Sequence, residues 1–192
     1  GIGVYDGATA NITEAICNEN HGCGITAAGP EDGAYISTIN IYGCTTNNNN
    51  DHGIAARPYG KLNICASKSG KKNTIQNNRH TGFMINDHCT SDFIKDCIIS
   101  GNGKHGISVS NNATATIIEN NTISGNTEDG IHVSDNSSAA IASTSSDENV
   151  LSGLGVYSNS KVNVTDNCTF NGNTHYGICI DSSIASKVED CT

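Results

Sequence analysis

The sequence contains 192 residues, of which 35% are hydrophobic and 5% aromatic, and it has no Trp. Its formal net charge is −9, and because a negative surface repels nucleic acid phosphates and anionic membranes, we expect neither as a partner. The absence of any apolar run of about 18 residues excludes a membrane-spanning helix.

A short pattern recurs along the chain, in which an apolar residue follows a glycine and apolar and polar residues then alternate. Successive copies begin 23, 29, 29, 24, 24, 23 and 24 residues apart, by subtraction of the glycine numbers. The alternation predicts a β-strand, and a regular period of roughly 20–50 residues predicts stacked repeats. The copies begin at Gly1, Gly24, Gly53, Gly82, Gly106, Gly130, Gly153 and Gly177.

A second apolar position follows the first at a nearly constant distance and predicts another strand in each repeat. Seven of the eight copies place it ten residues later, as from Phe83 to Phe93. The copy at Ile25 deviates by one residue, because its counterpart is Ile36. We predict that these second positions form a column that points into the core.

These two spacings predict an all-β fold, a right-handed parallel β-helix (β-solenoid) of about eight coils with about 24 residues each. We expect three short strands per coil, each paired with the equivalent strand of the next coil. A single domain is predicted over residues 1–192. Two coils, near 24–52 and 53–81, are each about five residues longer than the others.

A column of asparagines predicts one corner of the coils. Asn102, Asn126 and Asn173 each lie twenty residues after a repeat glycine, and Cys44 and Val150 interrupt the column. Asparagine tolerates the left-handed backbone of a tight corner, and stacked amides hydrogen-bond along a rod. Asn78 joins this column once its five-residue insertion is removed, and Asn20 lies one position away.

A second column contains cysteine. Cys97, Asn121 and Cys168 each lie fifteen residues after a repeat glycine, and we interpret them as small inward residues beside a bend. None of the nine cysteines has C-x-x-C or zinc-finger spacing, so most are expected to act as small apolar residues. Cys168 and Cys191 lie in adjacent coils, where a disulfide is open to them, and the odd number leaves one thiol unpaired within the chain.

The repeat resembles those of a known superfamily. The segment Asn121-Thr122-Ile123-Ser124-Gly125-Asn126 followed by Gly130-Ile131-His132-Val133 is similar to the parallel β-helix repeats of the pectin-lyase-like superfamily. This resemblance covers essentially the whole chain and implies the fold. It implies no single activity, because the superfamily includes polysaccharide lyases, glycoside hydrolases, uronan epimerases, phage tailspikes, adhesins and non-catalytic surface proteins.

Histidines concentrate just before the repeat glycines, so we expect them on or near one corner of the solenoid. Such a stripe can bind a metal or transfer protons. Equivalent positions carry Lys104 and Glu128-Asp129, which favours a simple requirement for polar, solvated turn residues. We therefore predict no metal site. The five histidines are His21, His52, His80, His105 and His175.

The basic residues suggest one enzymatic alternative. Six of the ten lie in the expanded coil between Gly53 and Thr81. Lyases and epimerases that act on uronates need a base and a cation that neutralises the substrate carboxylate. If the protein is an enzyme, the candidate catalytic residues are Arg57, Lys61, Arg79 and His80. A solvated loop whose lysines keep the chain soluble is the simpler interpretation.

Acidic residues supply the only cofactor hypothesis. Glu31-Asp32, Asp129 and Asp147-Glu148 offer carboxylate oxygens of the kind that Ca²⁺ binds. They form neither an EF-hand loop nor a repeated Gly-Asp nonapeptide. We interpret them as surface carboxylates and predict no cofactor, with Ca²⁺ as the alternative.

Six sequons for N-glycosylation are present, a number that chance accounts for in a chain so rich in Asn, Ser and Thr. They permit a glycoprotein. The candidate asparagines are Asn11, Asn112, Asn120, Asn136, Asn163 and Asn167.

The terminal sequence motivates the functional hypothesis. The chain begins at a repeat start without an evident polar cap and stops within a coil at Cys191-Thr192, and open strand edges of a solenoid bind further strands. We predict a non-catalytic structural or interaction β-solenoid, extracellular or on a cell surface, a filament or spacer module that stacks end to end on itself or on neighbouring β-helix modules. The alternatives are a polysaccharide lyase or epimerase on a uronate polymer, or a glycan-binding adhesin domain.

Overall fold

A computed structural model describes residues 1–181, 184 and 186–192 of the chain. These residues form 20 β-strands, and no helix is present among them. Accordingly, no helix in the described ranges is long and apolar enough to cross a membrane. In chain order the strands are β1 (Ile2–Tyr5), β2 (Thr9–Thr13), β3 (Ile25–Ala28), β4 (Ser37–Tyr42), β5 (Ile54–Ala56), β6 (Gly60–Cys65), β7 (Asn73–Gln76), β8 (Phe83–Asn86), β9 (Thr90–Ile94), β10 (Cys97–Ser100), β11 (Ile107–Ser110), β12 (Thr114–Ile117), β13 (Asn121–Ser124), β14 (Ile131–Val133), β15 (Ser138–Ala142), β16 (Thr144–Asp147), β17 (Ser152–Val156), β18 (Lys161–Thr165), β19 (Tyr176–Ile180) and β20 (Lys187–Val188).

The strands assemble into three parallel sheets, which we call A, B and C in the order in which each coil visits them. Sheet A has the order β1-β3-β5-β8-β11-β14-β17-β19, and sheet B has the order β2-β4-β6-β9-β12-β15-β18-β20. Sheet C is shorter, with the order β7-β10-β13-β16. Because neighbouring strands of a sheet come from successive coils, the chain is a β-solenoid of about eight coils, and the predicted fold class is confirmed.

The register places equivalent apolar residues directly above one another. Ile107 pairs with Phe83 on one side and with Ile131 on the other, and all three are fully buried. Full burial of a side chain of this size contributes about 1.5–3 kcal/mol to the free energy of unfolding. The core is thus one continuous apolar column between the sheets, and it grows by one layer with each coil.

The extra residues of the two longer coils lie in two loops. Residues 29–36 connect β3 to β4, and residues 66–72 connect β6 to β7. Ile36 belongs to the first loop and is 57% exposed, so its predicted place in the second apolar column is wrong. Ile41 takes that place, because the register pairs it with Ile12 and buries it completely.

A β-bulge in β9 corrects a second prediction. The register shifts by one residue between Lys61 and Ile64, so that Ile64 pairs with Ile94. Ile94 is therefore the buried residue of the column, whereas Phe93 is only partly buried. The extra residue of a bulge turns the following side chains to the opposite face.

The asparagine column is more regular than the sequence predicted. Within the described residues it contains seven asparagines. Cys44 and Val150 were expected to interrupt the column, but in those two coils Asn49 and Asn149 occupy it. From Asn20 to Asn149, each side-chain Nδ2 donates a hydrogen bond to Oδ1 of the asparagine in the next coil at 2.8–3.1 Å. The members of this asparagine ladder are Asn20, Asn49, Asn78, Asn102, Asn126, Asn149 and Asn173.

The left-handed backbone conformation expected of these asparagines is adopted instead by the residue that precedes each of them. Its φ lies between 54° and 64° at every corner of the ladder. The ladder asparagines are therefore required for their amide hydrogen bonds, and the corner strain belongs to their neighbours. These neighbours are Glu19, Asn48, Asn77, Gly101, Gly125, Glu148 and Gly172.

The cysteine column lies at the start of sheet C. Cys97 and Cys168 are buried, and the Asn121 side chain accepts a hydrogen bond from the backbone of Cys97 at 3.2 Å. All nine cysteines in the described part of the chain are free thiols, including Cys168 and Cys191. The interpretation of this column as small inward residues beside a bend is confirmed.

Candidate functional site

Two clusters of histidine and aspartate lie where the chain enters sheet A, between the asparagine ladder and the sheet. The backbone at this point passes very close to the neighbouring coil. A Cβ at Gly106, for example, would lie 2.6 Å from the backbone carbonyl oxygen of Gly130 in the next coil, so only glycine fits. The polar residue before each such glycine is therefore held at a fixed position beside its counterparts in adjacent coils.

The first cluster, which we call the Asp51 cluster, consists of Asp51, His52, His80, Arg57 and Cys23. Oδ1 of Asp51 lies 3.3 Å from Nε2 of His52 and 3.2 Å from Nδ1 of His80. Its other oxygen, Oδ2, accepts hydrogen bonds from Arg57 at 3.0 Å and from the Cys23 thiol at 3.4 Å. One carboxylate thus binds two imidazoles, a guanidinium and a thiol.

The protonation states in the Asp51 cluster follow from burial and charge. Burial alone would raise the pKa of Asp51, but His52, the Cys23 thiol and Arg57 outweigh it and hold the pKa below its usual value. Burial lowers the pKa of His52, and the nearby His80 and Arg57 add to the effect. At neutral pH the cluster therefore contains a carboxylate bound by a permanent cation, Arg57, beside a neutral His52.

The second cluster, which we call the Asp129 cluster, consists of His105, Asp129, His132, Glu128 and Tyr157. Oδ2 of Asp129 lies 2.9 Å from Nδ1 of His132 and 3.9 Å from Nδ1 of His105. The two imidazole rings stack with centroids 4.1 Å apart. Nε2 of His105 lies 2.9 Å from Oε2 of Glu128. Asp129 is only 2% exposed, so its interpretation as a surface carboxylate is wrong.

Hydrogen bonds keep Asp129 ionised despite its burial. Burial by itself would raise the pKa of Asp129, but the bonds from His132 and from the backbone N–H of Ser152 hold it below its usual value. Burial, with the nearby charge of His132, lowers the pKa of His105. A buried carboxylate therefore faces a neutral His105 across the cluster.

Tyr157 closes one side of this cluster. Its ring lies 5.1 Å from the His132 ring, and it folds back over the sheet at Gly155. A Cβ at Gly155 would lie 2.6 Å from the Tyr157 hydroxyl and 2.7 Å from Oδ2 of Asp129. The glycine therefore makes room for the phenol beside the carboxylate. Burial, with the negative charge of Asp129, raises the pKa of Tyr157 and keeps its hydroxyl protonated.

The four candidate catalytic residues do not form one group. Arg57 and His80 meet at Asp51. Lys61 lies in β6 of sheet B, where it pairs with Asp92, and Arg79 is exposed. The structure thus brings two of the four together and places the other two elsewhere.

The predicted histidine corner divides into partly buried and exposed members. The side chains of His52 and His105 are only 13% and 15% exposed, which differs from the solvated turn positions that were expected. His21 and His175 are exposed. Of the acidic pairs considered for Ca²⁺, Glu31 and Asp32 are exposed on the loop 29–36. All six sequon asparagines are also exposed.

Sequence reasoning missed Asp51, His132 and Tyr157 as site residues. The signal for His132 was present, because it lies between the inward residues Ile131 and Val133 and must point outward. Its ring then leans toward the corner that carries His105 in the preceding coil. Comparing columns of adjacent coils, and not one column alone, would have found this pair.

The comparison with protein families identifies the class of protein. A model of the right handed beta helix region matches residues 64–192, which is two thirds of the chain. The chain therefore belongs to the right-handed β-helix family, and the resemblance of its repeats to those of parallel β-helix proteins is confirmed. Comparison with curated proteins and with solved structures gave no match.

Proposed function

We propose that the protein is a non-catalytic structural and interaction β-solenoid, extracellular or on a cell surface, that binds further β-helix coils end to end. The observation that supports this most is the apolar end of the core at the last described coil. Ile180 and Val188 continue the inward columns of Val156 and Val164, with which they pair. Ile180 is 46% exposed and Val188 39%, whereas Val156 and Val164 are fully buried.

The backbone at the same end also offers strand edges to which another coil can bind. Among the described strands, β19 pairs only with β17 and β20 only with β18. The outer edges of these two strands carry backbone N–H and C=O groups that a further parallel strand can bind. The partner we propose is a coil of another β-helix, either a second copy of this chain or a neighbouring module.

Sedimentation velocity over a range of concentrations tests this proposal. We expect the wild-type chain to associate as concentration rises, and we expect Ile180→Lys and Val188→Lys to abolish the association because they place a charge over the apolar column. Val150→Lys is the matched control, since Val150 is 47% exposed but follows the ladder residue Asn149 on the side of the rod. A wild-type monomer at every concentration would contradict self-stacking.

A second function, action on or binding of a uronate polymer, is favoured by the meeting of Arg57 and His80 at Asp51. Incubation with pectate, alginate and glycosaminoglycans, followed by a glycan array, tests it. Loss of turnover or binding in Arg57→Ala, with Arg79→Ala unchanged, would replace the structural proposal by this one. No effect of Arg57→Ala would exclude the cluster as the glycan site.

A further inference from the structure

We propose that the Asp129 cluster is a binding site for a divalent transition metal ion, with Zn²⁺ as the best match, and that its ligands are Nδ1 of His105, Oδ2 of Asp129 and Nδ1 of His132. The Asp129 cluster lies on the side of the rod, so the proposal is independent of end-to-end association. It concerns residues that neither the fold nor the family match assigns to any role.

The spacing of the three atoms suits a tetrahedral ion. Ligands bound at about 2.0–2.1 Å in a tetrahedron lie roughly 3.3–3.4 Å from one another. Oδ2 of Asp129 is 2.9 Å from one imidazole nitrogen and 3.9 Å from the other, and all three atoms lie within 4.8 Å of one another. Displacements of about half an ångström bring the two distances from Asp129 to the ideal value, and the stacked imidazole rings must also rotate so that both nitrogens face one ion.

A second layer of hydrogen bonds already orients two of the ligands. Glu128 lies 2.9 Å from Nε2 of His105 and holds the proton on that nitrogen, because Nδ1 accepts a hydrogen bond from the backbone N–H of Asp129. The single Nδ1 lone pair accepts that N–H group at 3.3 Å, so an ion that binds Nδ1 must displace this hydrogen bond, while Glu128 keeps the proton on Nε2, as in the carboxylate–histidine–metal arrangements common in zinc proteins. The backbone N–H of Ser152 binds Oδ1 of Asp129 at 3.0 Å and leaves Oδ2 for the ion.

The charge around Asp129 also favours a cation. Its ion-pair partners among the described residues are the two histidines, and Glu128 adds a second negative charge nearby. A carboxylate that is 2% exposed loses most of its hydration, and a bound metal ion offsets this cost. The Asp51 cluster has a similar donor set, but Arg57 already occupies its carboxylate at 3.0 Å and repels a second cation.

The donor types decide which metal is expected. Two imidazoles and one carboxylate are typical of Zn²⁺, whereas Ca²⁺ and Mg²⁺ prefer oxygen ligands only. The His132 side chain is 20% exposed, so solvent reaches the site and can supply a fourth ligand. The Ca²⁺ alternative considered for the acidic residues is therefore replaced at Asp129 by a transition metal.

Titration calorimetry of the full chain with ZnCl₂, after dialysis against a chelator and under reducing conditions, tests the proposal. We expect one high-affinity site per chain and a loss of affinity of at least tenfold in His132→Ala and in Asp129→Asn. His80→Ala, in the Asp51 cluster, is the matched control and is expected to retain wild-type affinity. Circular dichroism would show that each variant is folded.

Spectra of the Co²⁺-loaded chain separate this site from the free thiols. A tetrahedral nitrogen and oxygen site gives visible ligand-field bands without the near-ultraviolet charge-transfer band of a cobalt–thiolate bond. We expect that spectrum in the wild type and its loss in His132→Ala. Affinity unchanged in His132→Ala, an equal loss in His80→Ala, or a thiolate spectrum would each overturn the proposal.

Discussion

Left-handed residues at the corners of the solenoid are a local source of strain. Glu148 adopts φ 57° directly before a ladder asparagine, at a position where three of the other coils have glycine. A side chain in this region costs about 1–2 kcal/mol per residue. Glu148→Gly is therefore expected to raise the free energy of unfolding by about 1 kcal/mol. The greater backbone entropy of glycine in the unfolded chain offsets part of this gain. Urea denaturation measures this change.

Gly125 allows the same effect to be measured in reverse. It adopts φ 61°, and a Cβ added there would meet no other atom within 4 Å. Gly125→Ala thus introduces backbone strain without a steric contact, and we expect a loss of about 1 kcal/mol. Equal stability of the wild type and Gly125→Ala would show that these corners are unstrained.

Buried thiols make the fold sensitive to alkaline pH. Burial raises the pKa of the Cys89 thiol to about 11 from an ordinary value near 9.0. Because the folded state retains this proton to higher pH than the unfolded chain, the stability that depends on it is complete below pH 9 and is lost as pH rises toward 11. A shift of two pKa units corresponds to roughly 3 kcal/mol.

Cys89→Ser tests this titration. Serine does not ionise in this range, and its oxygen can still accept the hydrogen bond that the backbone N–H of Gly60 donates to Sγ at 3.3 Å. Between pH 9 and 11 we expect the free energy of unfolding to fall less steeply with pH in the variant, because its unfolding releases one proton fewer. An identical slope in both proteins would assign the alkaline loss to the other thiols.

The asparagine ladder acts as a single element that links successive coils. Oδ1 of Asn126 accepts hydrogen bonds from both the backbone N–H and Nδ2 of Asn102, and all of these groups are buried. Asn126→Ala leaves both donors of Asn102 without that acceptor. We expect a loss of about 2–4 kcal/mol in the free energy of unfolding, because each buried unpaired group costs about 1–3 kcal/mol.

The half-buried end of the ladder provides a comparison in urea denaturation. Asn173→Ala removes the same two bonds from Asn149, but solvent can reach this position and supply replacements. We therefore expect a smaller loss than for Asn126→Ala. A larger loss at Asn173 would mean that burial does not set the strength of the ladder.

The elements that the sequence predicts well are those with a simple period. The apolar alternation of sheet A identified its strands because one face of each is buried, and a shift by one residue would expose every one of those side chains. The bulge in β9 escaped prediction because Phe93 and Ile94 are both apolar, so the composition of the strand does not reveal which of them points inward. Insertions also hid Asn49 from the ladder.

The candidate site was predictable only in part, for a reason that concerns neighbouring elements. His105 and Asp129 occupy equivalent positions before successive glycines, so stacking alone brings them together. The position of Tyr157 depends on Gly155, whose missing side chain admits a ring from two residues later. Such packing across the outer face leaves no periodic signal in the sequence.

At the scale of the whole molecule, each layer of the solenoid contacts chiefly the layers before and after it. The sheets follow the same coil order from β1 to β19 and from β2 to β20. Stability in such an array is nearly a sum of coil and interface contributions. A metal ion at the Asp129 cluster would therefore stabilise mainly the coils that contain β11 and β14, and end-to-end association would stabilise the coil that contains β19.

The asparagine ladder also gives the rod a polarity. From Asn20 to Asn149 each side-chain nitrogen donates to the ladder oxygen of the coil that follows, and from Asn49 to Asn173 each ladder oxygen accepts from the coil before it. A unit joining beyond Asn173 must present an oxygen, and one joining before Asn20 must present a donor, as the amino group of Gly1 does. Like ends would set oxygen against oxygen or NH₂ against NH₂. Any fibre built on this ladder is consequently vectorial, with chemically distinct leading and trailing faces.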